Sequence, residues 1–188
     1  IVISNGAKHS LFNLFQVLVE EGDEVIIPAP YWVTYPEQVK FSGGVPVFIE
    51  TDESTEFKIT PEQLKAAITP KTKILLLNTP SNPTGSVYSK EELLALGEVL
   101  KGTDIIVLSD EMYEKIMYNG KKFTACAEVS EDMYKRTVTI NGLSKAVAMT
   151  GWRFGYIATP DVALAKALTK LQGQVTSNIN TMTQYAAI

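Results

Sequence analysis

Residues 137–155 read Thr-Val-Thr-Ile-Asn-Gly-Leu-Ser-Lys-Ala-Val-Ala-Met-Thr-Gly-Trp-Arg-Phe-Gly, and they join a β-branched run to a lysine and an arginine. The run at 137–140 is typical of a buried strand. Lys145 follows it among small and apolar residues, where the charged form of an amine is disfavoured and its pKa falls. The neutral amine can then attack an aldehyde and form a Schiff base. A lysine that carries its head into water explains the same residue, so the choice depends on the rest of the chain.

Composition bounds the class of protein. The chain has 188 residues, enough for one sizeable α/β domain, and 45% of them are hydrophobic against 20% charged. A net charge of −4 gives no basic footprint, so we expect no nucleic-acid partner. No apolar run reaches the roughly 20 residues that span a bilayer, and no signal peptide is recognised. The lone cysteine, Cys126, excludes an internal disulfide and is expected to be a packed residue of a cytoplasmic protein.

The two ends of the sequence indicate a piece of a longer protein. The chain begins at Ile1 without a methionine, and it stops inside a helix-like run at 180–188. No linker, repeat or low-complexity segment divides residues 1–188. We therefore expect a single domain cut from a larger chain.

Short apolar runs alternate with helical patterns along the whole chain. Predicted strands lie at 24–27, 45–49, 73–77, 105–108, 137–140 and 155–158. Predicted helices run from the turn at 4–8 to residue 18, from 89 to 100 and from 161 to about 173, and another starts at residue 60. Strands that alternate with helices form a mostly parallel sheet with right-handed crossovers. We therefore predict an α/β fold in three layers, with helices on both faces of the sheet.

Several residues follow predicted strands, at the edge where open α/β sheets bind their ligands. Trp32 is either a packed aromatic side chain or a flat face for a heteroaromatic ring. Asp110 follows a buried strand, and because a buried carboxylate cannot remain ionised alone, it needs a cation or a hydrogen-bond donor. Glu111 is expected to be a solvated or structural neighbour. The small-residue turn at 4–8 offers helix N-terminal amides to an anion, while His9 is given no catalytic role.

Three motifs occur in a fixed order and carry a resemblance to a known family. They are Asn82-Pro83-Thr84-Gly85, Asp110-Glu111-x-Tyr113 and Ser144-Lys145 through Gly151-Trp152-Arg153-x-Gly155. Together they resemble the aspartate aminotransferase family of class I and II aminotransferases, fold-type I enzymes that depend on pyridoxal 5′-phosphate (PLP). The resemblance covers essentially all 188 residues. It implies that the chain is the large, cofactor-binding domain, without the family's N-terminal arm and small domain.

The resemblance assigns five residues to the ring of the cofactor. Lys145 would hold PLP through a Schiff base and, once released, would move a proton between Cα and C4′. Asp110 would pair with the protonated ring nitrogen, which keeps the ring an electron sink. Tyr113 and Asn82 would hydrogen-bond the phenolic oxygen O3′, and Trp32 would stack on the ring face.

The resemblance also implies a site for the phosphate group. The backbone amides of Ala7 and Lys8, the hydroxyl of Ser144 and the guanidinium of Arg153 would hold it. The arginine suits this role because its fork binds phosphate oxygens in bidentate fashion. Many relatives carry Ser or Thr where this chain has Gly142, so one phosphate contact is expected to be absent.

The residues expected to contact the substrate resemble those of a bacterial subgroup of the family that has a Gly-x-Lys phosphate loop. Gly6, Lys8, Trp32 and Asn82 are the expected substrate contacts, and Lys8 would meet the distal carboxylate of a dicarboxylic acid unless it is merely an exposed lysine. The implied reaction is transamination of L-aspartate with 2-oxoglutarate by a homodimer, with amino and 2-oxo acids as partners and no metal. Prephenate, aromatic or alanine-type substrates remain open, as does a PLP-binding module of a regulator without catalysis.

Overall fold

A seven-stranded sheet forms the centre of the computed structural model, which describes residues 1–188. The strands are β1 (Val2–Asn5), β2 (Glu24–Ala29), β3 (Val45–Glu50), β4 (Thr72–Asn78), β5 (Ile106–Asp110), β6 (Thr137–Gly142) and β7 (Phe154–Ala158). Their order across the sheet is β1-β7-β6-β5-β4-β2-β3. Neighbours from β6 to β3 are parallel, whereas β7 runs antiparallel to both β6 and β1. The sheet is therefore mostly parallel, as predicted.

Helices occupy most connections between the strands. They are α1 (Ala7–Leu18), α2 (Thr34–Phe41), α3 (Pro61–Ala67), α4 (Lys90–Leu100), α5 (Glu131–Arg136), α6 (Leu143–Ala146), α7 (Val162–Val175) and α8 (Thr181–Ala186). The start of α4 is fixed by a capping box, in which the Ser89 hydroxyl accepts the Glu92 N–H at 3.2 Å and the Glu92 carboxylate accepts the Ser89 N–H at 2.7 Å. Both bonds satisfy N–H groups that lack a partner within the helix.

Two apolar cores lie on opposite faces of the sheet. In β4, Ile74 and Leu76 join the core that contains side chains of α1, α2 and α7, whereas Leu75 and Leu77 join the core of α3, α4 and α5. All four side chains are buried because helices cover both faces, which is why the strand reads as a continuous apolar run. The predicted three-layer α/β/α architecture is confirmed. No helix has the length and apolar character needed to cross a bilayer.

The first strand differs from the expectation that a helix begins at residue 4. Residues 2–5 pair with β7, and α1 starts only at Ala7. Gly6 turns the chain between the two elements at a φ of 83°, a conformation that glycine adopts without steric cost. The turn directs the N-terminus of α1 toward β6 and β7. Three short helices, α2, α5 and α6, were also not predicted.

Candidate active site

The predicted site residues meet in one cavity at the carboxyl ends of the central strands, where ligands bind in open α/β sheets. Its volume is about 240 Å³. It is lined by Ala7, Lys8, Trp32, Tyr35, Asn78, Asn82, Asp110, Met112, Tyr113, Ser144, Lys145, Thr150 and Arg153. All predicted site residues except Gly6 belong to this lining. Residues from both ends of the chain, far apart in sequence, are therefore brought together by the topology of the sheet.

Asp110 is the buried acid of the cavity. It ends β5 and is only 3% exposed. The hydroxyl of Tyr35 donates to its Oδ2 at 2.8 Å, and the backbone N–H of Met112 donates to its Oδ1 at 3.2 Å. Burial raises the pKa of Asp110 to about 6, and both hydrogen bonds act in the opposite direction. A hydrogen-bond donor, as expected for this buried carboxylate, is thus present. A cationic group in the cavity would stabilise the carboxylate further.

Tyr35 was not predicted as a site residue. It lies on α2 and is 1% exposed, with the edge of its ring against Trp32 at a centroid distance of 5.4 Å. Burial and the neighbouring Asp110 carboxylate raise the pKa of its hydroxyl well above the usual value. The group therefore stays protonated and remains a donor. The only signal in the sequence is the spacing of three residues from Trp32, which precedes α2, whereas Tyr35 lies in the first turn of that helix.

Lys145 contradicts the expectation of apolar surroundings. It lies on the short helix α6 and is exposed. Its Nζ atom lies 5.8 Å from the centroid of the Tyr113 ring, and Asp110 and Ser144 line the same cavity. The amine is accessible because α6 directs it into this open cavity. Accessibility to an incoming aldehyde is thus supported, whereas activation by burial is not.

Arg153 lies beside the N-terminus of α1 and forms one end of the cavity. Its backbone has a φ of 56°, and its Nη1 donates to the carbonyl of Thr150 at 2.7 Å. A methyl group on Gly6 would overlap the guanidinium of Arg153, and the φ of 83° is one that side-chain-bearing residues rarely adopt, so both features favour glycine at this position. No protein acceptor bonds the amides of Ala7 and Lys8. Because a helix N-terminus and a guanidinium both favour an anion, this end can hold a phosphate group.

The remaining wall of the cavity holds two asparagine side chains and a lysine whose amine lies near an aromatic ring. Asn78, which was not predicted, donates from Nδ2 to the Asp110 carbonyl at 2.9 Å and accepts the Asn82 N–H on its Oδ1 at 2.7 Å. It therefore ties the Asn82 loop to the end of β5. The Nζ atom of Lys8 lies 4.8 Å from the centroid of the Trp32 ring, a distance typical of a cation–π contact.

Glu111 does not line the cavity, and of the two expected roles, a solvated or a structural neighbour, its burial supports the structural one. It is 3% exposed and accepts hydrogen bonds on the opposite side of the sheet, which leaves a structural role. Cys126 is fully buried, as predicted for a packed residue. His9 is partly exposed and accepts the Asn5 N–H on its Nδ1 at 3.2 Å.

Comparison with known proteins gives matches over the whole chain. The family model for aminotransferase class I and II matches residues 1–188. The aspartate aminotransferase of Geobacillus stearothermophilus is 56% identical, over 100% of this chain and 48% of that protein. The aspartate/prephenate aminotransferase of Nitrosomonas europaea is 52% identical, over 100% of this chain and 47% of that protein. The crystal structure of the aspartate aminotransferase from Rhizobium meliloti aligns with a TM-score of 0.95 at 45% identity, covering 98% of this chain and 46% of that one. This chain thus spans about half the length of the relatives it matches.

Proposed function

Since this chain belongs to the class I and II aminotransferases, we propose that it is the large, cofactor-binding domain of a PLP-dependent aminotransferase. The observation that carries the proposal is that Lys145 and Asp110 line one cavity, with Arg153 at its end. An N-terminal arm and a small domain would belong to the rest of the protein. The span of about half the relatives' length supports this division.

The donor set of the cavity fits the chemistry of PLP. When bound, PLP supplies an aldehyde that condenses with amines and a protonated ring that withdraws electrons from the amino acid's Cα. The amine of Lys145 would bind the aldehyde carbon and, when released, would take the proton from Cα and deliver it to C4′. The Asp110 carboxylate would accept a hydrogen bond from the ring nitrogen and hold its proton there. Tyr113 and Asn82 would donate to the phenolic oxygen, and Trp32 would cover the ring.

The phosphate group fits the opposite end of the cavity. There the Arg153 guanidinium, the Ser144 hydroxyl and the first amides of α1 are the available donors. An anion at this point would be stabilised by the helix dipole and by a bidentate guanidinium contact. Gly142 has no side chain and therefore offers no hydroxyl to the phosphate.

For the whole protein we propose transamination between L-aspartate and 2-oxoglutarate. The names of its relatives support this choice, and Lys8 offers a cation to the distal carboxylate of a dicarboxylic acid. Gly6, Trp32 and Asn82 are the further substrate contacts that we propose, although Gly6 does not line the cavity itself. Prephenate is the second candidate acceptor, because one relative at 52% identity is named for both acids.

We also propose that the whole protein is a cytoplasmic homodimer. Large apolar side chains are exposed at Trp152, Met182 and Tyr185, with 46%, 75% and 76% exposure, and Trp152 and Met182 line one open pocket, as is typical of a surface that another chain or segment covers. The unpaired Cys126 agrees with a reducing compartment.

The test of the proposed function is an assay of the whole protein with a panel of amino donors and 2-oxo acids. We expect oxaloacetate from aspartate and 2-oxoglutarate, and no product in the Lys145→Ala variant. The 188-residue chain alone should bind PLP but should not turn over substrate. Transamination that persists in Lys145→Ala, or no amino transfer with any donor, would contradict the proposal.

A further inference from the structure

We propose that Glu111 is a positioning residue for this site, although it faces away from the cavity. Its carboxyl group fastens the backbone between Asp110 and Tyr113 to the opposite side of the sheet. The inference rests on the proposed function, because it concerns the placement of two groups that would contact the cofactor.

The alternation of side chains at the end of β5 carries the first step. Successive residues of a strand point to opposite faces. Asp110 lines the cavity, whereas Ser109 belongs to the other face and donates from its hydroxyl to Glu111 Oε1 at 2.9 Å. The same Oε1 accepts the backbone N–H of Cys126 at 3.1 Å. The carboxyl of Glu111 therefore joins the end of the strand to a distant turn.

That turn is firmly anchored in the second core. Cys126 begins a 3-10 turn over Cys126–Glu128, and its side chain is fully buried with Val129 and Met133. Its Sγ lies 3.0 Å from the Ser109 hydroxyl oxygen. A carboxyl attached to such a turn has little freedom to move, because interior packing is dense and non-compressible.

The backbone around Glu111 is fixed as well. Its N–H donates to the Ile140 carbonyl of β6 at 2.9 Å, and its carbonyl accepts the Glu114 N–H at 3.0 Å. Tyr113 lies inside the turn that this second bond closes. Asp110 on one side and Tyr113 on the other are thus held in place by the same hydrogen bonds of Glu111. Loss of the Glu111 side-chain contacts would therefore make both residues more mobile.

Glu111 has no basic partner. The titratable groups that influence it or are influenced by it are Asp110, Glu114, Cys126 and Tyr156, and none is a cation. Burial raises its pKa to about 7. A glutamine could accept both hydrogen bonds through its amide oxygen without carrying charge. Substitution by glutamine therefore keeps both hydrogen bonds and removes only the negative charge, so that the two contributions can be told apart.

The experiment compares Glu111→Ala, Glu111→Gln and Ser109→Ala in the whole protein. The readouts are the dissociation constant of PLP and the pH titration of the absorbance of bound PLP, which responds to Asp110 and Tyr113. We expect Glu111→Ala to weaken PLP binding about tenfold and to shift the titration, since the loss of hydrogen bonds leaves buried donors unsatisfied. Glu111→Gln should restore affinity to within about twofold, and Ser109→Ala should fall between them.

Ser130→Ala is the matched control. It removes the N-cap of α5, where the Ser130 hydroxyl accepts the Met133 N–H at 3.2 Å, beside the same turn but outside the cavity. It should lower stability and leave PLP binding and the titration unchanged. Wild-type affinity and titration in Glu111→Ala would overturn the inference, as would equal effects in Ser130→Ala. If Glu111→Ala fails to fold, an unchanged Ser109→Ala overturns it. A wild-type protein that takes up no PLP overturns the proposed function and the inference together.

Discussion

Two consecutive carboxyl groups are buried at the end of β5, on opposite sides of the sheet. Asp110 faces the cavity and Glu111 faces the second core, and neither forms an ion pair. Because burial disfavours the charged form, both carboxyls hold their protons to a higher pH in the folded chain than in the unfolded chain. These two carboxyls therefore carry a stability cost at neutral pH, and a cationic group bound in the cavity would reduce the part that is due to Asp110.

This cost predicts a stability that falls as pH rises. The pKa of Asp110 rises from 3.8 to about 6 and that of Glu111 from 4.5 to about 7, so the folded state binds more protons between these values. Stability from these groups is full below about pH 4 and is lost as pH rises to about 7, by on the order of 3 kcal/mol for either group.

Urea unfolding of the cofactor-free chain at several pH values between about 4 and about 8 measures this slope. Asp110→Asn and Glu111→Gln should each remove part of it. A free energy of unfolding whose pH dependence is the same in wild type and both variants would contradict the account.

Tyr35→Phe tests the hydrogen bond that holds Asp110. It removes the hydroxyl donor and keeps the ring, so the carboxylate loses a stabilising contact. We expect the free energy of unfolding, measured with urea, to fall by about 1–3 kcal/mol, and by more at pH 8 than at pH 5. The reason is that only the ionised Asp110 carboxylate depends strongly on the hydroxyl donor.

Tyr88→Phe is the matched control for this loss. It also removes a buried hydroxyl, which accepts the Ile59 N–H at 2.9 Å. Its effect should be the same at both pH values. Equal pH dependence in the two variants would mean that Tyr35 does not stabilise the Asp110 carboxylate.

At the residue scale the sequence singled out an acid, a lysine and an arginine that line one cavity, because each lies directly after a recognisable strand or within a motif. Tyr35 and Asn78 were not predicted, because their roles depend on contacts with Asp110, which lies far away in sequence. The exposure of Lys145 also could not be predicted from its apolar sequence neighbours. It depends on where the other walls of the cavity lie.

At the element scale, close backbone contacts join β7 to the start of α1. Gly155 of β7 lies against the peptide between Gly6 and Ala7, and a methyl group on it would overlap both backbone atoms there. The same strand pairs with β6 at Gly142, where a methyl group would lie 2.5 Å from the Phe154 carbonyl oxygen. Small residues thus allow the backbone to close at the Arg153 end of the cavity.

Gly155→Ala should therefore displace the first turn of α1. We expect a loss of about 3 kcal/mol in the free energy of unfolding, because backbone cannot yield as a flexible side chain can, together with weaker PLP binding. Gly173→Ala on α7 has open space around it and should stabilise the chain by up to about 1 kcal/mol. Denaturant unfolding and PLP titration of both variants check this, and a Gly155→Ala protein with wild-type values would contradict it.

The elements themselves were predictable to different degrees. The continuous apolar run of β4 and the capping residues of α4 identified both elements. The edge strand β1 was missed because its four residues merge with the helix that follows. The antiparallel direction of β7 could not be inferred, since α/β alternation predicts parallel neighbours and the exception depends on the short connection between β6 and β7.

At the scale of the whole molecule, the sheet brings the first residues of α1 next to residues 142–155. Strand order places β1 beside β7 and β7 beside β6, so both ends of the chain contribute to one cavity. Three-layer packing buries the strands and leaves their carboxyl ends accessible. The chain spans about half the length of its relatives. Residues of the other half that would bind the substrate therefore belong to the function proposed for the whole protein.

Covalent mapping of the cofactor attachment site tests the central claim most directly. The protein is incubated with PLP, reduced with borohydride, digested and analysed by mass spectrometry, with Lys145→Ala as the control. We expect a pyridoxyl group on the peptide that contains Lys145, and its loss in the variant. Attachment to Lys8 or another lysine in the wild-type protein, with Lys145 unmodified, would contradict it.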